Sequence, residues 1–148
     1  MTTEELMIGD YIKHGFGGIG KVTELSKGIV TVYDKGLDDG EGNCEVNFAE
    51  NEIQPIHLTP EILEKNDFKK DAFTNLSPDY YFNNDEYSIC VNLNSTCDKS
   101  KSIWIEKRSN RFTVSIEESR HSLDKKPLYV HQLQHALRLC NIDKEIVL

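Results

Sequence analysis

Two histidines have a spacing that could bind a metal ion. His131 and His135 are four residues apart, so on a helix their side chains face the same side and can share a zinc ion. The spacing matches the HExxH motif of metalloproteases, but Gln132 stands where the glutamate must take a proton from zinc-bound water. The sequence therefore argues against a protease. A metal site with a third ligand stays open, and the candidates for that ligand are Cys90, Cys97, His121 and Asp124. In the alternative interpretation, both histidines lie at the polar border of a helix that faces a core.

A glycine-rich segment over residues 15–20 satisfies the GxGxxG pattern of dinucleotide-binding sites literally. That site requires a helix after the glycines, so that the pyrophosphate meets the positive end of the helix. The residues that follow Gly20 instead have the pattern of a strand and a turn. The segment is therefore predicted to be a hairpin loop, and no cofactor is expected.

An acidic loop over residues 34–45 has the composition of a calcium site, but its residues do not follow the order of an EF-hand loop. The third position of an EF-hand loop is occupied by Gly36, and the sixth, which requires glycine, by Asp39. We therefore expect a solvated loop that joins two strands. With nearby aromatic residues, this loop supplies the predicted contact surface for a protein partner, which consists of Phe16, Tyr33, Asp38, Asp39 and Glu41.

The acidity of the chain belongs to its N-terminal part. Residues 1–57 hold four lysines against eleven carboxylates, a net charge of −7, whereas residues 58–148 hold 13 basic against 14 acidic side chains. Because affinity for nucleic acid comes largely from Lys and Arg, the first part is predicted not to bind it. Weak binding of nucleic acid through the second part stays an alternative, with Lys99, Lys101, Lys107, Arg108 and Arg111 as the candidates.

The cellular setting that the sequence favours is the cytoplasm. Glu4 and Glu5 stand where a signal peptide would carry basic residues, and no apolar run approaches the ~20 residues of a membrane span. The four cysteines lie far apart and form no CxxC pair, which indicates buried or idle thiols.

Residues 1–57 are predicted to form a small antiparallel β-barrel. Short runs rich in Val, Ile, Thr and Tyr are separated by glycines, as in GDYIKH, GIGKVTEL and GIVTVYD. Four or five such strands are stable when the sheet curls and covers its edges. The opening GDYIKH followed by GKV resembles the start of SH3-like and Tudor-like small barrels.

Residues 58–148 are predicted to form an α+β domain. Thr59 and Pro60 begin a short helix over 60–66, which ends at Asn66. Antiparallel strands follow over about 80–118, with a hairpin whose strands cover 102–108 and 111–118. Apolar residues spaced by three and four predict a helix over 128–140 that covers the sheet. The final EIVL is an edge strand or an apolar tail.

Two segments carry a more specific resemblance. LTPEILEKNDF and YVHQLQHALRLCNIDKEIVL are similar to segments of short uncharacterised proteins of Bacteroides and their phages and mobile elements. The resemblance implies a bacterial or phage protein with a compact α+β fold, and it transfers no catalytic residue. We therefore expect a non-enzymatic protein-interaction module whose partner is a host or phage factor. The alternatives are a metal-binding protein or enzyme that uses His131 and His135, and the weak nucleic-acid binder.

Overall fold

The chain forms two compact units, and the computed structural model describes most of each. The described residues are 1–38, 40, 42–71, 79–94, 100–108, 112–117 and 127–148. Unit 1 is Met1–Ile56 and unit 2 is His57–Leu148. The boundary lies one residue from the position that the composition and pattern of the sequence predict.

Unit 1 is a five-stranded antiparallel sheet with short 3₁₀ turns at Thr3–Glu5, Lys35–Leu37 and Glu50–Glu52. Its strands pair in the order β4-β3-β2-β1-β5. They are β1 (Tyr11–His14), β2 (Ile19–Ser26), β3 (Ile29–Tyr33), β4 (Glu45–Ala49) and β5 (Ile53–Pro55). Residues 15–18 of the glycine-rich segment form the turn of the β1–β2 hairpin, as predicted, and its last two residues begin the strand β2, not a helix.

One face of this sheet carries the core of unit 1. Successive side chains of a strand point to opposite faces, and the inward set is buried: Ile12, Val22, Val30, Val32, Phe48 and Ile53. Leu6, which precedes β1, belongs to the same core. Gly20 holds an inward position on β2, where a Cβ atom would overlap the Val32 side chain and come within 2.9 Å of the Tyr33 carbonyl oxygen. Glycine at this position therefore lets β2 and β3 pack closely.

The sheet of unit 1 is open among the described strands, because β4 and β5 form its two edges and are not paired with each other. The antiparallel sheet is as predicted, but its pairing does not show a closed barrel. Edge strands expose N–H groups that could pair with another chain. Here the N–H of Glu45 donates to the Asn43 side chain at 3.3 Å, and that of Ala49 donates to Glu52 at 2.8 Å. Side chains of the same unit therefore occupy two outward N–H groups of the β4 edge.

Unit 2 combines a second five-stranded antiparallel sheet with two helices, which makes the protein α+β. Its strands pair in the order β10-β9-β8-β7-β6. The elements are α1 (Pro60–Lys65), β6 (Lys69–Lys70), β7 (Tyr80–Asn83), β8 (Tyr87–Asn92), β9 (Ser102–Lys107), β10 (Phe112–Glu117) and α2 (Val130–Leu139). The hairpin β9–β10 and the helix α2 lie within the predicted ranges, and α2 packs against both strands of the hairpin. Neither helix of the described chain has the length and hydropathy to cross a membrane.

The core of unit 2 follows the two periodicities of its sequence. Ile89, Val91, Ile103 and Ile105 alternate along β8 and β9 and are fully buried. The apolar stripe of α2 is buried as well, and it consists of Val130, Leu133, Ala136 and Leu137. The period-two pattern of the strands and the three-four spacing of the helix therefore each mark a buried face.

A buried asparagine holds the final segment of the chain. The side chain of Asn66 accepts a hydrogen bond from the Val147 N–H at 2.8 Å and donates one to the Val147 carbonyl at 2.8 Å. It also donates to the carbonyl of Ile62 at 2.7 Å, so it ends α1 while it binds the tail. Residues 141–148 contain no strand, and Ile146 is 1 % exposed. The EIVL segment is therefore a packed apolar tail.

Candidate functional site

The turn of the β1–β2 hairpin places a large aromatic ring in solvent. Phe16 lies between Gly15 and Gly17, and 71 % of its surface is exposed. Gly17 has a φ of +84°, a conformation that side chains other than glycine rarely adopt. Glycine therefore allows this turn, which leaves Phe16 exposed at one end of β1.

Two buried rings support Phe16 from below. Its ring meets Phe48 edge to face, with centroids 5.4 Å apart, and meets His14 in the same manner at 6.2 Å. His14 and Phe48 are themselves stacked, with centroids 4.9 Å apart and planes 21° apart. Edge-to-face and offset contacts of this kind favour one ring arrangement over others. Phe16 is thus an exposed ring on a rigid base.

A hydrogen bond between His14 and Asp34 fixes the base in turn. The Nε2 atom of His14 lies 3.0 Å from Oδ2 of Asp34, and the histidine side chain is 1 % exposed. Because a carboxylate accepts hydrogen bonds, this contact places a hydrogen on Nε2. The other carboxylate oxygen accepts the N–H of Gly36 at 2.9 Å. That N–H, followed by His14, lowers the pKa of Asp34, so the carboxylate is charged at neutral pH.

A further glycine permits this pair to form. A Cβ atom on Gly18 would lie 2.5 Å from Asp34 Oδ2 and 2.7 Å from His14 Nε2, well inside van der Waals contact. Any side chain at residue 18 would therefore separate the two groups. The glycines that match the dinucleotide pattern instead allow a turn, a close packing of strands and the His14–Asp34 hydrogen bond.

Carboxylates flank the turn on two sides. The backbone and Cβ of Glu52 lie within 4 Å of where a side chain on Gly15 would begin, and Glu52 is exposed. Asp34 lies on the other side, beside Gly18, and its side chain is 18 % exposed. Lys13 precedes His14 on β1, so the pleat directs it to the opposite face. Both carboxylates already accept hydrogen bonds: that of Glu52 from the Ala49 N–H at 2.8 Å, and that of Asp34 from His14 and from the Gly36 N–H.

Among the described members of the predicted contact surface, Phe16 and Tyr33 lie toward different faces of the sheet. Tyr33 belongs to the outer face of the sheet, where the register places it between Lys21 and Glu45, whereas Phe16 packs on residues of the inner face. Asp38 is exposed, and its Oδ1 accepts the N–H groups of Gly40 and Gly42 at 2.9 and 3.1 Å. Asp39 and Glu41 lie outside the described residues. Among the described members of this set, Phe16 is the residue whose side chain packs against two other rings.

The two histidines of α2 belong to a series of ring contacts. His131 stacks on Tyr129 with centroids 5.5 Å apart, and its other neighbour is His135 at 5.6 Å. Tyr129 also contacts His57 at 5.5 Å. The interpretation that both histidines lie at the polar border of the helix is wrong for His131. This side chain is buried, because the rings of Tyr129 and His135 pack against it. His135 is half-buried.

The described part of the chain contains no group of three or more His, Cys, Asp or Glu that could hold a metal ion. Cys90 lies on β8 and is half-buried, and burial, with a smaller effect of Glu106, raises the pKa of its thiol. The other candidate third ligands, Cys97, His121 and Asp124, lie outside the described residues. Among the described residues, the contacts of His131 and His135 are ring contacts and do not form a set of metal ligands.

The basic residues that were predicted to bind nucleic acid have different surroundings, as far as the structure describes them. Lys107 donates to the carbonyl of Cys140 at 3.4 Å, Lys101 lines a cleft of unit 2, and Arg108 is exposed. Lys99 and Arg111 lie outside the described residues. The described basic side chains of this set therefore do not act as one exposed stripe.

Sequence reasoning missed the groups that support Phe16. His14 and Asp34 are 20 residues apart, and only the register of β1, β2 and β3 brings them together. A usable signal was present, because His14 holds an inward position of a strand whose other inward residue is Ile12. A polar residue at such a position requires a partner.

No protein-family model, curated protein or solved structure matches this chain. Its function is therefore inferred from the geometry of the site.

Proposed function

We propose that the protein is a non-enzymatic interaction module and that unit 1 binds a basic segment of a partner protein around Phe16. The observation that carries this proposal is the exposed Phe16 ring, which a buried ring pair and the His14–Asp34 contact hold in place. Exposed single apolar residues are common on protein surfaces. An exposed ring that packs on a buried ring pair, in a unit rich in carboxylates, is a more specific arrangement, and it suits arginine.

The physical basis is that one arginine side chain can use all parts of this arrangement. A guanidinium group stacks on the face of an aromatic ring and also donates hydrogen bonds to carboxylates. Phe16 offers the ring, and the acidic side chains of unit 1 offer carboxylates, among them Glu52, whose Cβ lies near Gly15. A fixed ring costs little entropy when a ligand binds, which favours affinity. The net charge of −7 attracts basic segments and repels nucleic acid.

This proposal includes the finer assignments of fold and setting. We place unit 1 with SH3-like small barrels, whose hairpin loops commonly carry binding residues, and we place the protein in the cytoplasm of a bacterium or in a phage system. The five-stranded antiparallel sheet with a short β5 supports the first assignment. The likeness of LTPEILEKNDF to proteins of Bacteroides and their phages supports the second.

The test is a binding measurement with defined peptides. Fluorescein-labelled peptides that carry arginines in varied neutral contexts are titrated with the full chain, and fluorescence anisotropy reports binding. We expect at least one arginine peptide to bind, with an affinity that falls as salt rises, because exposed charges contribute. The matched peptides with glutamate in place of arginine are expected not to bind.

The matched pair of variants is Phe16→Ala and Ile8→Ala. Ile8 is 64 % exposed and precedes the start of β1, whereas Phe16 follows its end, so the control removes a similar exposed apolar group elsewhere in unit 1. Phe16→Ala should weaken binding at least ~10-fold, as for an interface hot spot, and Ile8→Ala should leave it unchanged. Equal affinities of the two variants, or no binding by any arginine peptide, would contradict the proposal.

The two alternatives stay distinct proposals with distinct tests. A metal-binding protein or enzyme centred on His131 and His135 predicts stoichiometric zinc in tag-free protein and its loss in His135→Ala. A nucleic-acid binder that uses the basic residues of the second part, Lys99, Lys101, Lys107, Arg108 and Arg111, predicts filter retention of nucleic acid at low salt. The ring packing of His131 and the cleft position of Lys101 give each of these residues another explanation.

A further inference from the structure

The imidazole of His14 is a buried titratable group that uses one of its two nitrogens. Its Nε2 atom lies 3.0 Å from Oδ2 of Asp34, and the histidine side chain is 1 % exposed. Its Nδ1 atom is buried and has no hydrogen-bond partner among the described residues. The neutral ring, with its hydrogen on Nε2, leaves Nδ1 as an acceptor and therefore buries no unpaired donor.

Protonation changes this arrangement, because both ring nitrogens of a charged imidazole are donors. The Nε2–H already donates to Asp34 in the neutral ring, so the new hydrogen is the one on Nδ1. There it would be buried without an acceptor, and an unpaired buried donor is costly, more so when it is charged. Asp34 attracts the added charge but contacts the ring at Nε2. The charged ring therefore pairs both of its donors only when Nδ1 moves to water.

The groups around the imidazole pass such a movement to the exposed ring. Among the described residues, Asp34 is the one charged group in contact with the imidazole, and the carboxylate of Glu52 accepts the N–H of residue 49 instead. Phe48 of β4 and Phe16 of the turn contact the imidazole through their rings, at centroid distances of 4.9 and 6.2 Å. On β5 the residue paired with it is Ile53, which is apolar. A displaced imidazole therefore changes the packing of both phenylalanine rings.

We infer that His14 is a pH-sensitive support of Phe16: when its ring gains a proton, it leaves the stack on Phe48 and releases the exposed ring. Imidazoles commonly titrate between about pH 5 and 8. The N–H of Gly36 and the contact with His14 lower the pKa of Asp34, so this carboxylate stays charged over that range. The effect on the rings stands by itself, and its consequence, weaker binding in acid, rests on the function proposed for Phe16.

A pH titration of the full chain by NMR tests this inference without a ligand. Long-range ¹H–¹⁵N correlations report which nitrogens of His14 carry hydrogen, and the ring protons of Phe16 and Phe48 report the stack through ring-current shifts. At about pH 8 we expect the neutral ring with its hydrogen on Nε2. As the pH falls to about 5, His14 should gain a proton, and both phenylalanine rings should lose most of their ring-current shift with the same midpoint.

Two variants separate the imidazole from its counter-charge. His14→Phe keeps an aromatic ring in the stack and removes the titration, so the signals of Phe16 and Phe48 should not change over this pH range. Asp34→Asn keeps an acceptor for Nε2 and removes the negative charge, so the shared midpoint should move to lower pH while the rings still follow the proton. This second variant tests the inference even where a larger ring at residue 14 disturbs the fold.

The consequence for binding is measured separately, with the arginine peptide that binds best at neutral pH. Its affinity should fall at least ~5-fold as the pH is lowered from about 7.5 to 5.5, and it should stay constant in His14→Phe. A peptide affinity that ignores pH while the rings respond would contradict the consequence for binding. Absence of peptide binding at every pH would contradict the function proposed for Phe16, and the ring titration would still decide the present inference.

Three results of the ring titration would overturn the inference. A His14 ring that stays neutral down to about pH 5 would show that no proton enters in this range. A proton on His14 that leaves the Phe16 and Phe48 signals unchanged would show that the stack tolerates the charge. Ring signals that titrate equally in His14→Phe would assign the change to another group.

Discussion

One pair of polar side chains in unit 1 and two polar side chains in unit 2 have different kinds of partner. In unit 1, His14 and Asp34 bond to each other, and the histidine lies beneath an exposed aromatic ring. In unit 2, Asn66 and Asp79 bond to backbone groups, and each holds a segment in place. The pair in unit 1 orients a side chain that faces solvent, whereas the contacts in unit 2 stabilise the chain path. This contrast assigns a surface role to the first group and a structural role to the second.

A substitution at Gly20 should give the largest effect and tests how tightly unit 1 is packed. In Gly20→Ala, the added Cβ overlaps Val32 and approaches the Tyr33 carbonyl at 2.9 Å, so we expect unit 1 to lose about 3 kcal/mol of stability. Amide hydrogen exchange should show the loss in β2 and β3. The control is Gly36→Ala, whose Cβ would meet only ordinary contacts of 3.4 Å or more. Equal exchange in the two variants would contradict the packing argument.

Asn66→Ala should give the next largest effect, this time in unit 2. It leaves the N–H and carbonyl of Val147 and the carbonyl of Ile62 without their side-chain partner, which should cost about 2 kcal/mol in urea unfolding. Asn84 also accepts two backbone N–H groups, but in an exposed turn, so Asn84→Ala should cost less than about 1 kcal/mol. If the exposed asparagine matters as much as the buried one, the structural role assigned to Asn66 is wrong.

The sequence predicts the regular elements well and their polar contacts poorly. The strands of β9 and β10 and the helix α2 follow from apolar periodicity, which is a local property. Asn66 was expected to end α1, and it does, but its contact with Val147 joins residues 81 positions apart. The contacts of His14 with Asp34 likewise depend on strand register, which no local pattern contains.

The stability of unit 1 should also fall at low pH, by less than in the two variants above, and Asp34 should contribute to this fall. Because its pKa is lowered in the folded protein, the charged carboxylate stabilises the fold above its ordinary pKa of 3.8, and that stabilisation is lost as pH falls through the lowered value. Unit 1 should therefore lose stability below about pH 4, as followed by hydrogen exchange of β1 and β3 amides. In Asp34→Asn this fall should be shallower. Parallel pH profiles would show that Asp34 contributes no such dependence.

The smallest effect on stability should come from Phe16→Ala. The ring is 71 % exposed and touches its neighbours by edges, so its removal should cost less than about 1 kcal/mol in urea unfolding. Phe48→Ala removes a buried ring of the same cluster and should cost about 3 kcal/mol or more. A large cost for Phe16→Ala would mean that the exposed ring is a structural element, and the contrast between the units would weaken.

The central claim is that the supported ring of Phe16 binds a basic segment, and chemical-shift mapping tests it most directly. The ¹⁵N-labelled full chain is titrated with the arginine peptide that binds best in the anisotropy measurement. We predict that the peptide shifts the amide signals of residues 15–18, Asp34 and Glu52 most. The same titration of Phe16→Ala should leave these signals unshifted. Shifts confined to unit 2, or to the outer face around Tyr33 and Glu45, would contradict the account.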